Sequence, residues 1–142
     1  MSEQDNIKVV RATFEAINAQ DQKQWRQWHT ADFTIEQPGA PAPLNAEQNW
    51  MFLSGFFTAF PDLHFEVTRT IAQGDDVVAH WTATGTHTGP LVTPTGDSIP
   101  ATGKKATVVG SSTHQFKGGK IARNWVFWDM TSLLGQLGLM PS

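Results

Sequence analysis

The stretch KKATVVGSSTHQFKGGKIARNWVFWD, Lys104 to Asp129, decides the fold. It reads as two β-strands joined at Lys117-Gly118-Gly119-Lys120. Gly-Gly at the centre of a two-residue hairpin loop is a strong signal, because both positions of the favoured turn need positive φ. The ribbon closes on NWVFWD, Asn124 to Asp129, where aromatic residues crowd one short strand and a single carboxylate stands at its end.

A Gly118-Gly119 turn pairs Phe116 with Ile121, His114 with Arg123, Ser112 with Trp125, Gly110 with Phe127 and Val108 with Asp129. Strand alternation puts all ten on one face. Asp129 is then expected among Phe127, Gly110 and Val108, with His114 and Arg123 about 20 Å away by strand rise. Burial there would disfavour the anion, so Asp129 is expected to act as acid or base near neutral pH. Trp125 and Phe127 would wall a cavity, and Gly110 would leave room for something to approach the sheet. The other reading is that Asp129 caps a helix beginning near Thr131 and the aromatics are ordinary core. Residues alone leave both open.

Outward from this ribbon, LHFEVTRTIA (63–72) and VVAHWTATGTH (77–87) alternate as strands around Gln73-Gly74-Asp75-Asp76. Pairing Gln73 with Asp76 sets Asp62 opposite His87 and Thr68 opposite Trp81. An Asp–His pair at the mouth of a sheet could orient a general base, against the plainer reading of a surface hydrogen bond. The connection from Gly89 to Gly103 holds three prolines and has the length of a functional loop.

The N-terminal part has helical period. Ser2, three residues before Asp5, opens a helix that buries Ile7, Val10, Phe14 and Ile17 and runs to about Ala19. Asp21 can cap a second helix carrying Trp25 and Trp28. FTIEQ (33–37) is a short strand ended by PGAPAP, and Asn45 caps a third helix that Pro61 terminates. Helices followed by a mostly antiparallel sheet predict an α+β fold with the helices on one face of a curved sheet.

The 142 residues predict one domain, 1–142, able to bury a core unaided. Charged residues are only 16%, while six Trp and nine Phe supply aromatic surface for a core or pocket. A net charge of −3 without a basic stripe argues against nucleic-acid binding. There is no Cys, which excludes thiolate metal sites and a Cys nucleophile. His29, His64, His80 and His114 show no metal-ligand spacing, and neither a P-loop nor GxSxG is present. No signal peptide or membrane span is visible, so a cytoplasmic location is expected.

FTAFPDLHFEV, GDDVVAHWTATGTHTG, PTG, GGKIARNW, WD and the terminal LLGQLG resemble the SnoaL-like polyketide cyclases of the NTF2-like superfamily, from about Phe57 to Pro141. The resemblance implies a cone in which a curved sheet and N-terminal helices enclose one pocket, in chains that are commonly homodimers. It implies ring closure of a hydrophobic, possibly aromatic, carbonyl compound by intramolecular aldol chemistry, without metal, other cofactor or covalent intermediate. Asp129, by its place after GKI-x-x-x-W, matches the family's general acid/base. The residues expected to contact substrate are Gln37, Trp81, His87, Trp125 and Phe127. Relatives often carry His where this chain has Gln37 and Asn124, and these two can hydrogen-bond a carbonyl without exchanging protons. Isomerisation, dehydration or epoxide opening, and a non-catalytic binding module, are the alternatives.

Overall fold

The computed structural model describes residues 2–92 and 96–139. The elements are α1 (Glu3–Asn18), α2 (Gln22–Arg26), β1 (His29–Glu36), α3 (Ala46–Ala59), β2 (His64–Gln73), β3 (Asp76–Thr86), β4 (Leu91–Val92), β5 (Ser98–Ile99), β6 (Lys105–Lys117), β7 (Lys120–Trp128) and α4 (Met130–Gln136). The PTG motif at 94–96 and the match as far as Pro141 lie partly outside the described residues.

Local chemistry starts the helices where the sequence signals it. Ser2 Oγ accepts the Asp5 N–H at 3.0 Å, and the Asp5 carboxylate accepts the Ser2 N–H at 3.1 Å. Asn45 and Gln48 make the same reciprocal pair at 2.9 Å each before α3. Such boxes satisfy N–H groups that the first helical turn leaves without partners. β1 begins at His29, four residues ahead of the FTIEQ pattern.

Five strands form one sheet in the order β1-β7-β6-β3-β2, with β1 parallel to β7 and every other pair antiparallel. β4 and β5 make a separate two-stranded ribbon within the long connection. The β6–β7 turn has Gly118 and Gly119 at φ 60° and 80°, as the hairpin signal requires.

Register departs from the simple pairing at two bulges. In β7 the pairs Lys117–Lys120 and Phe116–Ile121 hold, but one extra residue then shifts every later partner. His114 faces Asn124, Ser112 faces Val126 and Gly110 faces Trp128. The expected pairs of His114 with Arg123, Ser112 with Trp125, Gly110 with Phe127 and Val108 with Asp129 are therefore not formed. A bulge sets two residues against one, which exchanges the faces of everything beyond it. A second shift, between Val67 and Arg69, sets Val67 opposite Trp81. Asp62 consequently meets Thr86, not His87, accepting its N–H at 2.7 Å and its hydroxyl at 2.9 Å. Bulges also bend and twist the strands that carry them, which curves the sheet toward the helices.

The core lies between the concave face and the helices. Trp25 of α2 anchors an aromatic cluster, with ring centroids 5.5 Å from Trp50 and 5.9 Å from Phe33. A second apolar cluster joins Phe60, Leu91, Ala106, Leu133 and Leu137 at the α4 end. Gly110 is required by packing: a Cβ there would stand 2.4 Å from the Trp81 indole. The room left by Gly110 is thus taken by Trp81, whose Nε1–H donates to Ser112 Oγ at 2.9 Å.

Candidate functional site

The concave face, α1, α3 and α4 enclose a cavity of about 970 Å³, counting its mouth, which is open to solvent. Its walls are mostly apolar and aromatic, with Phe14, Phe52, Phe56, Phe65, Trp81 and Trp128 prominent. The polar lining consists of Thr13, His29, Gln37, Asn49, Thr84, Ser112, His114 and Asn124. No carboxylate lines the cavity among the described residues.

Sheet register brings much of the polar set together. His114 and Asn124 are cross-strand partners, and Asn124 pairs on its other side with Ile35, two residues before Gln37. Gln37 Nε2 donates to Asn49 Oδ1 at 3.0 Å, tying the end of β1 to α3. His29 sits at the start of β1, its ring 4.1 Å from Trp25 and 4.4 Å from Phe33.

Both histidines are buried. Burial pushes His29 down to about 3, with the nearby charges of His114 and Arg26 acting in the same direction and a bond to Trp25 opposing. Burial likewise pushes His114 to about 4, against backbone bonds to Val77 and Ser112 that raise it. At neutral pH each ring is an uncharged imidazole, able to accept a hydrogen bond inside the cavity.

The residues singled out in the sequence divide between two faces. Gln37 and Trp81 line the cavity. Trp125 and Phe127 do not: the β7 bulge turns them to the convex face, where the Arg123 guanidinium lies 5.1 Å over the Trp125 ring and Phe127 is 63% exposed. Asn124, Val126 and Trp128 take the inward positions. His87 is fully buried outside the cavity lining, stacked at 5.3 Å on Phe60. Its Nδ1 accepts the Thr102 N–H at 3.2 Å, and its backbone closes the neck of the long connection through Lys104 and Gly103.

Asp129 is exposed and forms the N-cap of α4, its Oδ1 accepting the Ser132 N–H at 3.1 Å. The expected apolar setting beside Phe127, Gly110 and Val108 is absent, because the register that placed it there is shifted. In the chain Asp129 still stands between Trp128 and Leu133, which both line the cavity. The capping reading describes its contacts.

Sequence reasoning missed His29, Asn49, Ser112 and His114 as parts of one site. For Ser112 and His114 a signal was present, since both share strand parity with the inward Phe116. For His29 and Asn49 there was none, because only the parallel docking of β1 beside β7 and the seating of α3 bring them in.

No group of three or more His, Cys, Asp or Glu among the described residues is placed to hold a metal ion. No described helix is long and apolar enough to cross a membrane.

Helices closed over a curved five-stranded sheet around a cavity define an α+β cone of the NTF2-like, ketosteroid isomerase-like kind. Residues 7–137 match the family model for the SnoaL-like polyketide cyclase domain, and the chain belongs to that family. AclR from Streptomyces galilaeus, a candidate hydroxylase, superposes with a TM-score of 0.85 at 24% identity, covering 99% of this chain and 100% of its own. IdmH from Streptomyces antibioticus, a candidate polyketide cyclase, gives a TM-score of 0.82 at 24% identity, covering 94% and 98%. TerC, crystallised with polyporic acid, gives 0.74 at 18%, covering 94% and 98%. At such identities the likeness is one of fold. No curated protein sequence matches the chain significantly.

Proposed function

We propose that this protein is a cofactor-free acid/base enzyme that closes a ring on a small, flat, hydrophobic carbonyl compound by intramolecular aldol-type chemistry. The observation that carries the reading is the cavity itself: aromatic walls around a few convergent polar groups, in a chain of the SnoaL-like family. TerC holding polyporic acid in the same fold supports a ligand of this shape.

In this reading Asp129 is the proton-transfer group at the cavity's edge. Its carboxylate removes a proton from a carbon between two carbonyls, and the resulting enolate carbon attacks a second carbonyl of the same molecule. The carboxylic acid then returns the proton to the new alkoxide. The proton lost is an activated one, so the walls contribute chiefly by holding the chain folded for attack, which can be a large effect. Gln37 and Asn124 orient carbonyl groups, and Trp81 and Trp128 bracket the ring system.

One observation favours a second reading, a binding module without catalysis: Asp129 is bonded as a helix cap and is not part of the lining. Asp129→Asn separates the two, because Asn caps a helix about as well as Asp while losing the ability to take a proton. Loss of ring closure with unchanged melting temperature and ligand affinity is expected. Unchanged turnover on a substrate the wild type converts would remove Asp129 from the chemistry.

The proposal extends to assembly and location: a cytoplasmic homodimer pairing through the convex face, where Ile71, Val109 and Phe127 are exposed.

A further inference from the structure

Three polar atoms in the cavity lining are acceptors with no donor among the described residues. A neutral imidazole has one N–H and one bare nitrogen, and the partner of the first determines which is which. His29 Nδ1 lies 2.8 Å from the Trp25 carbonyl, and His114 Nδ1 lies 3.2 Å from the Val77 carbonyl. A carbonyl only accepts, so in each of these bonds Nδ1 carries the hydrogen and Nε2 is the bare nitrogen, while the His114 ring also has the Ser112 backbone beside it. Beside His114, Asn124 Oδ1 is buried with no partner among the described residues. The neighbouring polar groups are partly engaged: Ser112 Oγ takes the Trp81 N–H and keeps its own hydroxyl hydrogen, and Gln37 gives one of its two amide hydrogens to Asn49.

A carbonyl or ether oxygen brought against such acceptors adds a further lone pair and leaves every one of them unsatisfied, which is the costly outcome in a buried site. A hydroxyl on an sp² carbon brings what is missing. We infer that the end of the cavity formed by His29, His114 and Asn124 recognises a ligand through an enol or phenol O–H donated to these acceptors. The inference rests on the cavity being the small-molecule site proposed above. It names the tautomer held there: a β-dicarbonyl compound sits with its enol hydroxyl on an imidazole Nε2, and a phenolic ring does the same.

Isothermal titration of the full chain at pH 7.5 with 2-naphthol, 2-methoxynaphthalene and 2-acetonaphthone tests this on one ring skeleton. 2-Naphthol is expected to bind about tenfold or more tighter than the other two, the size of one hydrogen bond gained against one left unmade. His114→Phe and Asn124→Ala should each shrink that margin. If His114→Phe does not fold, Asn124→Ala decides. Equal affinities, tighter binding of 2-acetonaphthone, or a margin that persists in Asn124→Ala would overturn the inference. Binding of none of the three would overturn it together with the cavity reading. Because no turnover is measured, a clear 2-naphthol preference in a chain that closes no ring would sustain this inference while the catalytic proposal fell.

Discussion

Acid should unfold this protein earlier than its carboxylates alone would require, and the cause is the pair of cavity histidines. In the folded chain His29 and His114 bind protons only near pH 3 and 4, against an ordinary value of 6.5. Their folded values are depressed, so below 6.5 the unfolded chain binds more protons than the folded one. Stability is fully present above pH 6.5 and declines as the pH falls from there toward 4 and 3. A tenfold difference in proton affinity between the two states is worth about 1.4 kcal/mol, so at pH 5 each histidine costs roughly 2 kcal/mol and the pair roughly 4 kcal/mol. Domains of this size are stable by about 5–15 kcal/mol, so the loss is a large share of the total. Buried His87 is also lowered by burial and adds in the same direction, whereas Asp62, held low by the Thr86 N–H, acts only in more acid solution. Urea denaturation at pH 7.5, 6.5, 5.8 and 5.0, followed by tryptophan fluorescence, measures the slope. A His29→Phe/His114→Phe double variant keeps flat rings in both places, and between pH 6.5 and 5 it should lose most of the wild-type slope. Wild-type midpoints that do not move over this window, or a double variant with the wild-type slope, would refute the reasoning.

Gly110→Ala should destabilise by about 2 kcal/mol or more, since the new Cβ would strike both the Trp81 indole and the Phe127 carbonyl oxygen; thermal melting reads the loss, and near-UV circular dichroism reads the displaced indole. Asp129→Ala removes the α4 cap and should cost about 1 kcal/mol, with Asp129→Asn close to neutral; equal losses in the two variants would mean the cap contributes nothing. Phe127→Glu places a charge in the exposed convex patch and should convert the proposed dimer to monomer without lowering ligand affinity, as measured by light scattering and titration. A wild-type chain that is monomeric at high concentration would remove that part of the proposal.

Much of the architecture was legible from order and period. Capping pairs at Ser2 and Asn45, the Gly118-Gly119 turn and the change from period 3.6 to period 2 after Pro61 all act over a few residues, so the sequence displays them directly. FTAFPDLHFEV, GDDVVAHWTATGTHTG and GGKIARNW made the family recognisable, and of the residues expected to contact substrate Gln37 and Trp81 line the cavity. What the sequence by itself determined is the α+β class, the element order and the aromatic supply for a pocket.

The facing of β7 was decided only by the tertiary structure. A bulge after Ile121 costs one unpaired residue, changes no composition and leaves no mark in a period-2 pattern, yet it turns Phe127 and Trp125 out and Asn124 and Trp128 in. The surroundings of Asp129 changed with it, from an apolar strand face to an exposed helix cap. The parallel docking of β1 against β7, between segments roughly ninety residues apart in the chain, brings His29 to the cavity wall near His114. Local propensity describes each strand separately; which side chains share a cavity depends on register between strands, and register is set by contacts distant in sequence.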